Sequence, residues 1–293
     1  MNIKMKISLA LTTIAATQSV SPALANEGFV KSGHVTLHYV EAGNPASTRT
    51  LVLIPGWSTS TSVWRDQIAY FSQAVHVVAI DPRSQGSSSK TADGNTPAQR
   101  ARDYEAVFAA LKLKGLVLVG WSQGVQDVAS YVDQFGTARL RGIVLVDAAV
   151  SRGAATVAAN PKFVQALLGN IDIYAKHKHE YLQGMMRAIF THKMSDARFR
   201  SLVDTGMKTP TATGVAELNA DMLGSDLTLS LAKFDRPTLL IASANSFELK
   251  QQKAEAAQLR YGSFMQIDHA GHGVFVDQPQ AFDHALDDFL DSL

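Results

Sequence analysis

The segment Gly120-Trp121-Ser122-Gln123-Gly124 sets a serine between two glycines, where the apolar run LVLV (116–119) gives way to a helical pattern. Glycine at both positions removes side chains that would collide with the neighbouring strand and helix. A serine can then sit at a sharp strand-to-helix turn with its hydroxyl exposed. Such a pentapeptide is a weak signal alone, but a strand before it and a well-patterned helix after it supply the required context. Ser122 is the candidate nucleophile. A serine hydroxyl attacks poorly until a base removes its proton, and nine histidines are available. His272 has the fitting position, on the glycine-flanked loop of FMQIDHAGHGVFVDQPQAF, between the last apolar run and the last helical pattern. His269 is its rival and, being next to the strand, is expected to point away. His177 and His179 in KHKHE stand two apart, so on a helix they point to different sides. That pair is read as a solvated face, and the His269–His272 spacing is not read as a metal pair either.

A third group must hold the imidazole in the proton-accepting tautomer and stabilise the imidazolium. The loop after the late strand PTLLIAS, where an acid is expected, reads ANSFELK and carries Asn245 and Ser246 instead. Glu248 lies farther along and starts the next helix. Asp147 closes GIVLVD, so its carboxylate leaves the same edge of the sheet as Ser122, and an ionised group ending an apolar strand is costly unless paired. Asp147 is the leading candidate. Glu248 stays open, as do Asn245 or a water orienting the ring, and Asp147 could simply cap the following turn. The oxyanion of an acyl-transfer intermediate needs two preorganised N–H donors. The main-chain N–H of Gln123 is one; that of Trp57, in the loop PGWSTSTSVW, is the other. The side chains of Trp57 and Trp121 are expected to wall an apolar acyl pocket.

The elements that carry these groups alternate. Near-continuous apolar runs (HVTLHYV, TLVLIPG, VHVVAID, LVLVGW, GIVLVDA, TLLIAS, FMQID) read as strands covered on both faces, as in a parallel sheet. Between them lie helical patterns. One opens with Thr96 as N-cap, Pro97 at its first position and Gln99 to complete a capping box; Tyr104, Val107, Phe108 and Leu111 form its apolar stripe. The next places Val125, Val128, Ala129 and Val132 on one face and ends at Gly136. The last does the same through Phe282, Ala285, Leu286 and Phe289. The fold class is α/β, a mainly parallel sheet with helices on both faces. The alternation breaks over 151–233, which has helical stretches, several methionines (Met185, Met186, Met194, Met207, Met222) and no strand. A segment that long in a compact domain has structure of its own. It reads as a helical lid over strand ends, inserted into a core made of 26–150 and 234–293.

Residues 1–25 are of another kind. Lys4 and Lys6, a short apolar run and Ala23-Leu24-Ala25 form a secretory signal pattern cut after Ala25. The run falls short of the roughly 20 residues a membrane span needs. The expectation is a periplasmic or secreted protein with no stable membrane anchor. It has no cysteine and so relies on its core alone. A formal net charge of +1 gives no field for nucleic acid.

With these residues in place, the sequence from about Gly28 onward resembles the α/β-hydrolase superfamily, in its non-haem haloperoxidase-like and esterase-like group. IPGWSTSTSVWRDQ is similar to that group's oxyanion loop and AIDPRSQGSSS to its Asp-x-Arg-Gly-x-Gly-x-Ser loop. LVGWSQGVQDVASYVDQFG and AGHGVFVDQP are similar to its nucleophile elbow and histidine loop. The resemblance implies a metal-free serine hydrolase without cofactor, perhydrolysis being a side reaction. Three departures stand out: Pro55 for a histidine, Ser84 for a glycine, and no late acid. Some relatives carry their acid after the earlier strand, as Asp147 is. The expected function is hydrolysis of a small-molecule acyl ester or lactone through an acyl-enzyme on Ser122, His272 and Asp147. Alternatives are a ligand-binding protein that has lost turnover, and an acyltransferase or perhydrolase on the same groups.

Overall fold

The computed structural model describes residues 25–151 and 153–293; the expected signal segment lies, up to Leu24, outside them. Eight strands form one sheet in the order β1-β2-β4-β3-β5-β6-β7-β8. They are β1 (Asn26–Ser32), β2 (Val35–Ala42), β3 (Thr50–Ile54), β4 (His76–Ile80), β5 (Leu116–Trp121), β6 (Leu140–Val146), β7 (Thr238–Ser243) and β8 (Gly262–Ile267). From β4 through β8 the pairing is parallel, while β2 runs antiparallel to both β1 and β4.

Every residue of β3, β4, β5 and β7 is buried, as continuous apolar runs between two helix layers require. Side chains alternate across the sheet and feed two cores. Leu51, Leu53, Val117 and Val119 join Trp64, Phe71, Phe275, Phe282 and Phe289 on one face. Val52, Ile54, Leu116 and Leu118 join Tyr104, Phe108, Val125 and Val132 on the other. The helices behind those cores are α1 (Arg65–Phe71), α2 (Pro97–Ala110) and α3 (Gln123–Phe135). Five more, α4 (Ala154–Ala158), α5 (Pro161–Lys176), α6 (Lys178–Ile189), α7 (Asp196–Met207) and α8 (Thr211–Asn219), fill the connection from β6 to β7; α9 (Leu249–Gln258), α10 (Val274–Asp277) and α11 (Pro279–Asp291) follow. Among the described residues, no helix is long and apolar enough to cross a membrane.

Three local readings change. The strand β1 has only Phe29 and Val30 as large apolar residues in NEGFVKS, so its pairing with β2 leaves no periodic signal. The last strand, β8, is a sheet edge with most of its residues exposed, not a strand covered on both faces. At the start of α2 the Thr96 hydroxyl caps the Gln99 N–H at 3.3 Å. The Gln99 side chain turns to Asp103 and Arg102 instead, so only half a capping box forms.

The inserted helices pack Tyr174, Leu182, Met186, Leu202 and Val203 into the first core. Met186 is a filler of that core, whereas Met185 and Met222 line the cavity above the strand ends.

Candidate active site

Ser122 joins β5 to α3 with φ 56° and ψ −120°, a backbone region costing about 1–3 kcal/mol for a residue with a Cβ. The flanking glycines make that turn possible. A Cβ on Gly120 would lie 2.2 Å from the Gly124 carbonyl oxygen, and one on Gly124 would lie 2.7 Å from that of Ile54. The turn is held by Ser122 N–H donating to Val146 O at 3.1 Å.

Asp147 follows β6 at the same edge, 1 % exposed and with φ 51°. Its Oδ1 accepts the Ser243 N–H at 2.7 Å, and its Oδ2 is 2.7 Å from His272 Nδ1. An ionised carboxylate only accepts, so a neutral imidazole in this contact carries its proton on Nδ1 and leaves Nε2 as an acceptor. The alternatives sit elsewhere. Glu248 precedes α9 and accepts the Ala149 N–H at 3.0 Å, and Asn245 donates to Ala270 O at 3.4 Å. His269 is exposed, as are His177 and His179, and no group of three or more metal-ligating side chains forms among the described residues.

The imidazole is positioned through its loop. Trp121 Nε1 donates to His272 O at 2.9 Å, and Gly273 N–H donates to Ile189 O at 2.9 Å. Sequence reasoning missed Asp277. This buried carboxylate accepts from Gly271 N–H at 2.7 Å, from the Thr191 N–H and hydroxyl, and from His192 N–H, tying the His272 loop to the insertion. Burial pushes its pKa up, but those hydrogen bonds outweigh it and hold it below the usual carboxylate range.

The loop after β3 lies against the serine: a Cβ on Gly56 would come 3.0 Å from Ser122 Cβ. Trp57 follows in that loop, its indole N–H donating to Gly214 O of α8 at 3.1 Å. Gln123 opens α3, and the N–H of a first helical residue has no intrahelical partner. Ser84, the departure from glycine in the following loop, adopts φ 65°, a conformation that glycine adopts more readily.

Ser122, His272 and Asp147 share one cavity of about 490 Å³, walled by Trp57, Trp121 and, from the insertion, Tyr181, Met185, Leu218 and Met222. Among the described residues no hydrogen bond joins the Ser122 hydroxyl to His272. Such contacts are often long without substrate. Two acids of the insertion lie close by and carry no local sequence signal. Asp221 lines the cavity. Glu217 is fully buried, with no hydrogen-bond partner for either carboxylate oxygen among the described residues, and burial pushes its pKa up to about 8.

The profile of the alpha/beta hydrolase family matches residues 51–285 of this sequence. A non-heme haloperoxidase from Rhodococcus erythropolis is 35% identical over 103 residues, which is 35% of this chain and 38% of that protein. The matched stretch thus spans less than half that relative's length. A bifunctional esterase/perhydrolase from Acinetobacter calcoaceticus is 24% identical over 280 residues, covering 88% of this chain and 97% of that protein. The crystal structure of a bromoperoxidase from Bacillus anthracis superposes with a TM-score of 0.80 at 21% identity, over 91% of this chain and all of that one.

Proposed function

Because this chain belongs to the alpha/beta hydrolase family, we propose that it is a serine hydrolase of small-molecule carboxylic esters or lactones. In this reading the Ser122 hydroxyl attacks the acyl carbonyl while His272 Nε2 takes its proton, and Asp147 stabilises the imidazolium. The N–H groups of Trp57 and Gln123 receive the oxyanion. Collapse expels the alcohol with the proton from His272. A water then attacks the acyl-enzyme, losing its proton to His272, and the acid leaves as Ser122 recovers its hydrogen.

The observation that carries the proposal is the Asp147–His272 pair at 2.7 Å, in the cavity that Ser122 also lines. About 490 Å³ falls within the usual range for small-molecule sites, and the aromatic and methionine walls suit an acyl chain. The esterase named among the relatives supports the same reaction class. The perhydrolase half of that name favours a second acceptor: hydrogen peroxide in place of water would release a peracid from the same acyl-enzyme. The pattern of residues 1–25 extends the proposal to an exported enzyme, so N-terminal sequencing of the mature protein should begin at Asn26.

A panel of chromogenic esters and lactones of graded acyl length tests the proposal. Saturable hydrolysis with a distinct length preference is expected. Folded protein that binds these compounds and turns over none of them would instead be the ligand-binding alternative.

A further inference from the structure

A chain of hydrogen bonds runs from the insertion to the loop after β3. After α8 the backbone widens into a π-helical turn, Ala220–Gly224, a distortion that often marks functional positions. It carries Asp221, whose side chain is 5% exposed. Asp221 Oδ1 accepts from Arg100 Nη2 at 2.7 Å, and Oδ2 accepts from Gln123 Nε2. Gln123 Oε1 accepts from Gln85 Nε2 at 2.6 Å. Gln85 Oε1 in turn accepts from the Thr59 N–H at 3.1 Å. Arg100 is anchored behind by Asp127 of α3, Nε to Oδ1 at 2.7 Å.

Resting on the hydrolase reading above, we propose that Asp221 is a positioning residue for the oxyanion hole, acting through the side chains of Gln123 and Gln85. An amide side chain has a donor end and an acceptor end and fits a site either way round. A carboxylate accepts only. Asp221 therefore turns Gln123 Nε2 toward itself and Oε1 toward Gln85, and this orients Gln85 so that its oxygen faces Thr59. Thr59 closes the turn that holds Trp57, its hydroxyl donating to Gly56 O at 2.7 Å. The relay thus braces the two segments that bear the oxyanion donors, the Trp57 turn and the first residue of α3, against each other. Its polarity is set by an acid from the insertion, with Arg100 as the counter-charge.

The test is Asp221→Asn, which keeps size and removes the acceptor-only character. When the new amide turns its oxygen to Arg100, its NH2 meets Gln123, the relay reverses, and Gln85 presents a donor to the Thr59 donor. Loss of a whole oxyanion donor costs roughly 10²–10³ in kcat. Misplacement should cost about 10- to 100-fold, with KM within about threefold. In a Gln123→Met background, where the relay is already cut, the same substitution should change kcat less than about threefold. Equal losses in both backgrounds, or no loss of kcat per fluorophosphonate-titrated site, overturn the proposal; a packing role alone would lower the melting temperature without that coupling. Should Asp221→Asn not fold, Gln85→Met cuts the relay from the core side and must show the same non-additivity with Gln123→Met. Wild-type protein that neither titrates nor hydrolyses any ester overturns the hydrolase reading and this proposal together. An active wild type with additive losses overturns this proposal alone.

Discussion

Asp147 and His272 stand 125 positions apart in sequence and 2.7 Å apart between Oδ2 and Nδ1. The acid is locked from behind by the Ser243 N–H on Oδ1. An asparagine would keep that bond and present its NH2 to Nδ1, so the ring would carry its proton on Nε2, the tautomer that cannot accept from serine. Asp147→Asn should lower kcat by about 10⁴-fold and leave the melting temperature nearly unchanged. Steady-state kinetics on a chromogenic ester and a thermal melt check this. Retention of a tenth or more of the wild-type rate would remove Asp147 from the mechanism.

Trp121 is fully buried, packs edge-on against Phe275 at 5.1 Å between ring centroids, and donates to His272 O. Trp121→Phe deletes that donor and leaves most of the packing. It should cost about 1–3 kcal/mol of stability and lower kcat on the order of tenfold by loosening the His272 loop. Denaturant unfolding and kinetics on one preparation separate the two effects. A stability loss with kcat unchanged would show that the indole does not hold the loop.

Asp277 serves the same loop from the other side, its oxygens accepting from Gly271, Thr191 and His192. Asp277→Asn turns one acceptor oxygen into an NH2 facing an N–H donor. A loss of about 2–4 kcal/mol is expected, with faster hydrogen exchange at Gly271 and Thr191 than elsewhere in the chain. Uniform protection across the variant would contradict the tie between loop and insertion.

Glu217 gives a pH signature. Burial raises its carboxyl from 4.5 to about 8 in the folded chain, so the folded state keeps a proton that the unfolded state releases above 4.5. By linkage its contribution is most favourable below 4.5, declines as pH rises and levels off above about 8. Glu217→Gln removes that decline. The stability of the variant relative to wild type, from urea unfolding at pH 5, 6, 7 and 8, should increase with pH across the series. A difference that stays constant would place Glu217 in an ionised, compensated setting.

Much of the candidate site was legible because its signals are local. The Gly-x-Ser-x-Gly turn, the glycine-flanked His272 loop and Asp147 at a strand end each announce themselves within a few residues. The edge on which they gather follows from parallel strands. Choosing among Asp147, Glu248 and Asn245 required loop geometry, since all three leave the sheet near that edge; Glu248 turns to the Ala149 N–H and Asn245 to Ala270. The relay through Gln85, Gln123 and Asp221 joins residues 38 and 98 positions apart; Gln85 and Gln123 lie in recognisable loops, but nothing local pairs their side chains with each other or with Asp221. The strand β1 escaped for a different reason. It is an edge strand stabilised by its partner β2, and its own sequence alternates too weakly to show.

In the proposed mechanism Ser122 is a nucleophile activated by His272. Incubating folded protein with a fluorophosphonate and locating the adduct by peptide mass spectrometry reads out that activation. Stoichiometric labelling on Ser122 is expected, abolished in Ser122→Ala and slowed by orders of magnitude in His272→Ala. Folded wild-type protein that stays unlabelled, or that labels equally fast without His272, would contradict it.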